Sequence, residues 1–426
     1  MLRLLPFLLL LSWYNGYSQT HEYARSVVST LASDEFMGRG FTGKADFKAA
    51  EYIRSEFIRL GVQSIDDTYF QSFDISVNTF PGKMGLNVNS IAMKPGIDYI
   101  VDPSSPSLRG KFLVTRISRR ELADENRLQK ILETVRGKAV LIDLNDTSRY
   151  SPKEEAEINR IINTIKYDPG ISNPLTILFS DKKLTWSISD RQASKAVLVM
   201  NSTGIDPHAI TEVQVDIKAR LKTNYKTQNV IGIIRGKTVP DSFLILTAHY
   251  DHLGMMGKNT IFPGANDNAS GVAMLLSLAD YFAANPPEYS IVFIAFSAEE
   301  LGLLGAGHFV ENPLFKTENT RFLVNFDLAG TGDDGIKVVN ATIFKKEFEL
   351  LQEINKEYNY LSSVQPRGEA CISDHCLFYM KRIPCFYIYT LGGISAYHDV
   401  YDRAETLPLT DFEDYYKLMY TFLREL

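Results

Sequence analysis

Apolar residues along this chain follow two periods. Between Lys44 and Leu60, Phe47, Ala50, Ile53, Phe57 and Leu60 recur at helical spacing and Gly61 follows, which predicts an amphipathic helix closed by glycine. Val272 to Ala284 repeats the pattern with Val272, Leu275, Leu276, Ala279 and Phe282 on one face, and Asn285-Pro286-Pro287 ends it. FQSFDI, from Phe70 to Ile75, predicts a strand. Three other runs are short and almost wholly apolar: Phe243 to Ala248 (FLILTA), Ser290 to Phe296 (SIVFIAF) and Arg321 to Phe326 (RFLVNF). Such runs mark strands buried on both faces of a parallel sheet. From Asn229 onward strands and helices alternate, so the expected fold class is α/β: a mixed, mostly parallel sheet sandwiched by helices.

The stretch from about Pro81 to Lys226 reads differently. Short strand patterns (KFLVTRI, KAVLIDL, KAVLVMN) alternate with polar, helix-prone segments such as SPKEEAEINRIINTI, and none ends on a cluster of ligand-like residues. It predicts an inserted, smaller α/β or β-rich domain over 81–225, dividing a discontinuous main domain over 19–80 and 226–426. At the amino end, one arginine precedes the apolar stretch Leu4 to Leu11, too short to cross a bilayer. This predicts a signal peptide over 1–18, cleaved near Ser18 or Gln19, with no cysteine there for lipid attachment. The expected location is periplasmic or extracellular, with no membrane association after cleavage.

A net charge of -6 offers no basic surface for nucleic acid, and no polybasic run suggests a lipid surface. The three cysteines, Cys371, Cys376 and Cys385, sit close together without a metal-binding spacing. A disulfide is expected between Cys371 and Cys376, with Cys385 a small buried residue inside the strand PCFYIY.

The three buried-strand patterns each run into acids or histidines: His249-Tyr250-Asp251-His252, Glu299-Glu300 and Asp327. Parallel sheets bind ligands at the carboxyl ends of their strands. His249, Asp267, Glu300, Asp327 and His398 supply the imidazole nitrogens and carboxylate oxygens that zinc takes, with one acid available to bridge two ions. Asp267 lies among small residues (GANDNASG) that let backbone approach a metal. Glu299 and Glu300 are adjacent, so one can ligate while the other serves as general acid/base. Asp251, two residues after His249, can take the second imidazole N–H and fix its tautomer. His252 and His375 are balanced between supporting the site and structure, and His308 reads as packing.

The windows AHYDHLG, GANDNASGV, AFSAEELGLLGA, NFDLAG and YHDVYD, in that order, resemble the metal motifs of the M28 family of zinc metallopeptidases. LASDEFMGRG and the helix ending at Leu60-Gly61 are also similar, so the likeness spans Leu31 to about Ile75 and Asn229 to the end. The insert looks like a protease-associated domain. The resemblance implies two Zn2+ per chain, held by His249, Asp267, Glu300, Asp327 and His398 with Asp267 bridging. It further implies Glu299 as general acid/base, Asp251 as orienting partner, a cis Asp267-Asn268 bond, and Tyr397 where one carboxypeptidase branch places an oxyanion-stabilising tyrosine. The implied function is a dizinc exopeptidase, an aminopeptidase acting on peptides through a metal-bridging hydroxide. A carboxypeptidase of the same family and a glutaminyl cyclotransferase remain as alternatives, and oligomeric state is left open.

Overall fold

The computed structural model describes residues 19–145 and 148–426, so the leader expected over 1–18 lies outside the described residues. Two eight-stranded sheets organise the chain. The first contains β1 (Phe70–Thr79), β2 (Arg220–Ile234), β3 (Val239–His249), β4 (Tyr289–Phe296), β5 (Thr320–Phe326), β6 (Ile336–Val339), β7 (Val364–Pro366) and β8 (Cys385–Thr390). Their spatial order is β1-β2-β4-β3-β5-β8-β6-β7. The central strands β4, β3, β5 and β8 run parallel, whereas β1, β2 and β6 join antiparallel toward the edges. This is the mixed α/β fold class the sequence predicts.

The near-continuous apolar runs follow from coverage on both faces. In β4, Ile291, Phe293 and Ala295 pack under one helix layer, and Val292, Ile294 and Phe296 under the other. Helices Ala45–Leu60, Gly271–Ala284, Lys345–Tyr358 and Phe412–Glu425 form the first layer; Leu304–Glu311 and His375–Met380 form the second. Each fully buried Ile or Phe contributes roughly 1.5–3 kcal/mol, so register is strongly fixed. The helix expected before Gly61 is present, with Gly61 at φ 78° receiving the chain.

Register also gathers the ligand-bearing ends. His249 at the end of β3 lies opposite Phe296 of β4, Thr247 opposite Asn325 of β5, and Phe326 opposite Ile388 of β8. The residues just after β4 and β5, Glu299-Glu300 and Asp327, therefore emerge beside His249 on one sheet edge.

The second sheet draws all its strands from between Met84 and Ile217. The expected patterns appear in it as Leu108–Ser118, Ala139–Asp143 and Ala196–Asn201, with the helix Pro152–Tyr167 capped by Ser151 and Glu154. The boundary expected at 226 falls inside β2, whose first seven residues are exposed or half-buried and so carry no apolar signal. Here β1 and β2 run on as a ribbon with Thr79 opposite Arg220, and just beyond it Met84 pairs with Ile217 in the second sheet. The two sheets share core: Phe80, Leu184 and Trp186 pack with Leu253, Met256, Phe262 and Val400. Among the described residues no helix is long and apolar enough to cross a membrane.

Candidate metal centre

His249 Nε2 lies 3.4 Å from Asp267 Oδ1 and 3.6 Å from Asp327 Oδ1. Across Asp267, His398 Nε2 lies 3.0 Å from the other oxygen, Oδ2, and 3.3 Å from Glu300 Oε2. Asp267 thus stands between two imidazoles with one oxygen turned to each. The five residues singled out as ligands in the sequence are brought together, although 131 residues separate Asp267 from His398.

Both imidazoles are oriented in the same way. His249 Nδ1 is 3.1 Å from the Asp251 carbonyl and His398 Nδ1 is 2.9 Å from the Trp186 carbonyl. A carbonyl only accepts, so each Nδ1 carries a hydrogen and each Nε2 is the nitrogen that faces inward. The acids are similarly divided. Asp327 Oδ2 faces the hydroxyls of Tyr387 at 3.4 Å and Ser373 at 3.5 Å, while its buried Oδ1 has no hydrogen-bond partner. Glu300 Oε1 accepts from His252 Nδ1 at 2.8 Å, leaving Oε2 toward His398.

The loop carrying Asp267 is over-determined. Gly264 sits at φ 62°, and a Cβ there would lie 2.2 Å from the Asp267 carbonyl oxygen and 2.4 Å from the His252 ring, so only glycine fits. The Asp267-Asn268 bond is cis, as expected. Asn268 then ties the loop to β5 and the next helix, donating to the Phe326 carbonyl and accepting from the Gly271 N–H. Arg39, fully buried, donates to the carbonyls of Leu31, Tyr250, Pro263, Gly264 and Asp267.

Asp251 takes the His249 N–H, but through its backbone. Its carbonyl, not its carboxylate, is the near partner of His249; the carboxylate stands 3.9 Å away. It accepts instead from the backbone N–H groups of Glu299 and Glu300 at 3.1 and 3.4 Å, because the turn after β4 leaves those donors without sheet partners. Asp251 therefore shapes the turn that presents both glutamates. Tyr397 is half-exposed and stacks on the His398 ring at 4.0 Å between centroids. Burial and the nearby carboxylates of Asp267, Glu300, Asp327 and Glu299 push its phenol upward, so it stays protonated at neutral pH.

The centre is dense in buried acid. Burial, then the charges of Asp374, Glu300 and Asp327, hold Glu299 well above the usual carboxylate range, with His249 opposing. Burial raises Asp374 to about 8, and both its oxygens lack a hydrogen-bond partner. Burial alone would depress His398, but Asp267 and Glu300 outweigh it and raise the imidazole to about 11. An imidazole pair, three carboxylates with an oxygen left facing inward and an excess of buried negative charge fit a divalent cation with nitrogen and oxygen preference, zinc among them. Two sets of donors, His249-Asp267-Asp327 and His252-Asp267-Glu300, have atoms within 4.8 Å of one another.

Sequence reasoning did not single out Arg39, Trp186, Tyr387 or Asp402, and assigned no role to Ser373. Arg39 and Asp402 lie within the windows LASDEFMGRG and YHDVYD, so a signal was present for both. Nothing local marks Trp186, whose carbonyl meets His398 212 residues away. Cys371 and Cys376 form the expected disulfide, and Cys385 is free and buried.

Residues 229–423 match the model of Peptidase family M28. Aminopeptidase YwaD of Bacillus subtilis is 34% identical over 201 residues, covering 46% of this chain and 40% of the relative. A probable zinc metalloprotease of Pyricularia oryzae is 34% identical over 125 residues, 28% of this chain and 25% of its own length. The chain thus spans less than half the length of these curated relatives. The fold is similar to that of the zinc aminopeptidase BSAP from Bacillus subtilis, with TM-score 0.70 and 22% identity over 95% of this chain and 94% of that one. A peptidase M28 precursor from Shewanella amazonensis gives the same TM-score at 14% identity, over 96% and 95% of the two chains.

Proposed function

We propose, from the match of residues 229–423 to Peptidase family M28, that the chain is a zinc-dependent aminopeptidase that removes single amino-terminal residues from peptides. The observation that carries this reading is Asp267 with one oxygen toward His249 and the other toward His398. His249, Asp267 and Asp327 would hold one Zn2+, and Asp267, Glu300 and His398 a second. When bound, zinc supplies a Lewis acid for the scissile carbonyl and lowers the pKa of water to about 7.

The protein's own groups do the rest. Glu299, adjacent to a ligand and held above the usual carboxylate range, accepts the proton of the attacking water and delivers it to the leaving amine. Asp251 holds the turn so that Glu299 and Glu300 point to different tasks. Tyr397, protonated beside His398, donates to the oxyanion that develops on the carbonyl. The buried carboxylates attract the free amine of the substrate. The aminopeptidase names of the Bacillus relatives support this direction of cleavage. We also read 1–18 as a signal peptide, 81–225 as a protease-associated-like insert, and the mature enzyme as exported.

Mass spectrometry of products from matched free and amino-acetylated peptides, with and without a chelator, tests the reading. Loss of single amino-terminal residues from free peptides only, abolished by chelation, is the expected result. Trimming from the carboxyl end would make it a carboxypeptidase, and loss of ammonia without cleavage a glutaminyl cyclotransferase.

A further inference from the structure

His398 is held by the insert. Its Nδ1–H donates to the Trp186 carbonyl at 2.9 Å, and the Trp186 N–H donates back to the His398 carbonyl at 2.9 Å. His398 has φ 52°, a left-handed conformation that costs a side-chain-bearing residue about 1–2 kcal/mol and persists only where neighbours fix it. Beside it, Lys183 forms an ion pair with buried Asp399 at 2.6 Å and donates to the Ser395 carbonyl at 2.7 Å. The segment bearing Lys183 and Trp186 joins two strands of the second sheet, Leu175–Ser180 and Ala196–Asn201. The Trp186 ring anchors it, with Nε1 donating to the Val101 carbonyl at 2.8 Å and the indole 4.5 Å from the Phe262 ring.

We propose that the insert is a working part of the metal centre: Trp186 is a positioning residue that fixes the tautomer and aim of His398, and Lys183 braces the segment that carries it. The proposal rests on the zinc reading above. It gives the insert a task at the site, because without the anchoring Trp186 ring the carbonyl that orients the imidazole and the N–H that clamps its left-handed backbone are no longer held in place. Partners of this kind typically contribute about 10–100-fold in metal affinity. The effect is confined to the zinc held by His398 and Glu300, since His249 takes its orientation from Asp251.

The test is zinc titration of the metal-stripped full-length protein, using zinc chloride alone and calorimetry or a competing chromophoric chelator. Wild type should bind two equivalents. Trp186→Ala should keep one at wild-type affinity and weaken the other by about 10–100-fold, and Trp186→Phe, which retains the stacking ring, should recover most of that loss. Lys183→Met should weaken the same equivalent by a smaller factor. Two unchanged equivalents in a folded Trp186→Ala protein, or equal weakening of both, would overturn the proposal. Should Trp186→Ala not fold, Lys183→Met decides, because Lys183 is 45% exposed and its loss leaves the core intact; an unchanged second equivalent then overturns it. A wild type that binds no zinc would overturn the metal reading itself.

Discussion

The backbone N–H of Asp267 donates to the buried carboxylate of Asp402 at 3.0 Å. The neighbouring N–H of Asn266 donates to the other oxygen of Asp402 at 2.8 Å, and Arg39 reaches the Asp267 carbonyl at 3.2 Å from the opposite side. A buried anion and a buried cation therefore grip one peptide segment by its donors and its acceptors. Burial lowers the Arg39 guanidinium only to about 10, so it remains charged at neutral pH.

Replacing Arg39 with methionine leaves carbonyls around the Asp267 loop unpartnered in a dry interior. Equilibrium unfolding in urea should show a loss of about 3–5 kcal/mol. Lysine should rescue little, because one ammonium has three donors in the wrong geometry for a set of carbonyls this widely spread. An Arg39→Met protein within about 0.5 kcal/mol of wild type, the range of an ordinary surface change, would mean that the clamp is dispensable.

Glu299→Gln keeps the shape of the side chain and removes its basicity. Turnover should fall by about a hundred- to ten-thousand-fold while zinc stoichiometry, measured by atomic absorption, stays at the wild-type value. Retained turnover would reassign the proton transfer to another group, and lost zinc would make Glu299 a ligand.

Removal of zinc should destabilise the fold, because the carboxylates of the centre lose their counter-charge. At free zinc about 100 times the dissociation constant, linkage stabilises the native state by about 2.7 kcal/mol. The melting temperature should rise with added zinc and fall with chelator. A melting temperature indifferent to both would argue that the buried acids are neutralised by protons alone.

Asp46 gives a pH signature remote from the ligands. It is buried in the first turn of the helix Ala45–Leu60, where Tyr225 donates to one oxygen at 2.7 Å and Thr227 to the other at 3.0 Å. Burial raises its carboxyl from 3.8 to about 6, partly offset by those hydroxyls. The folded state therefore holds the proton more tightly than the unfolded chain. Its stabilising contribution is complete below pH 3.8 and is lost as pH rises through about 6. That shift amounts to about 3 kcal/mol. Relative to Asp46→Asn, wild type should lose about this much stability between pH 4 and pH 7. A difference between the two proteins that does not change with pH would remove the proposed linkage.

Much of the centre was legible because β3, β4 and β5 announce themselves: residues buried on both faces give unbroken apolar runs, and the acids and histidine at their ends stand out against them. The helix before Gly61 and the Cys371–Cys376 pair are local, and local spacing was enough. The first half of β2 was hidden because its exposed, polar residues look like loop. Trp186 and Arg39 act through partners hundreds of residues away, one through a backbone carbonyl and the other by gripping carbonyls, and no side-chain pattern encodes which carbonyl will be near. For Asp251, spacing placed the residue beside the imidazole but could not say whether its carbonyl or its carboxylate would meet it.

The ribbon linking the two sheets has a consequence for how the chain reaches this state. Thr79 and Arg220 face one another although 141 residues separate them. Closing a flexible loop of that length costs about 4 kcal/mol in chain entropy before β1 and β2 return anything. If the second sheet folds early, its pairing of Met84 with Ile217 holds those ends together and removes the delay, so that sheet acts as the nucleus on which the first one closes. A circular permutant opened at Gly204, within the insert, should then fold more slowly than the natural chain, and equal rates would show that the main sheet closes without that help.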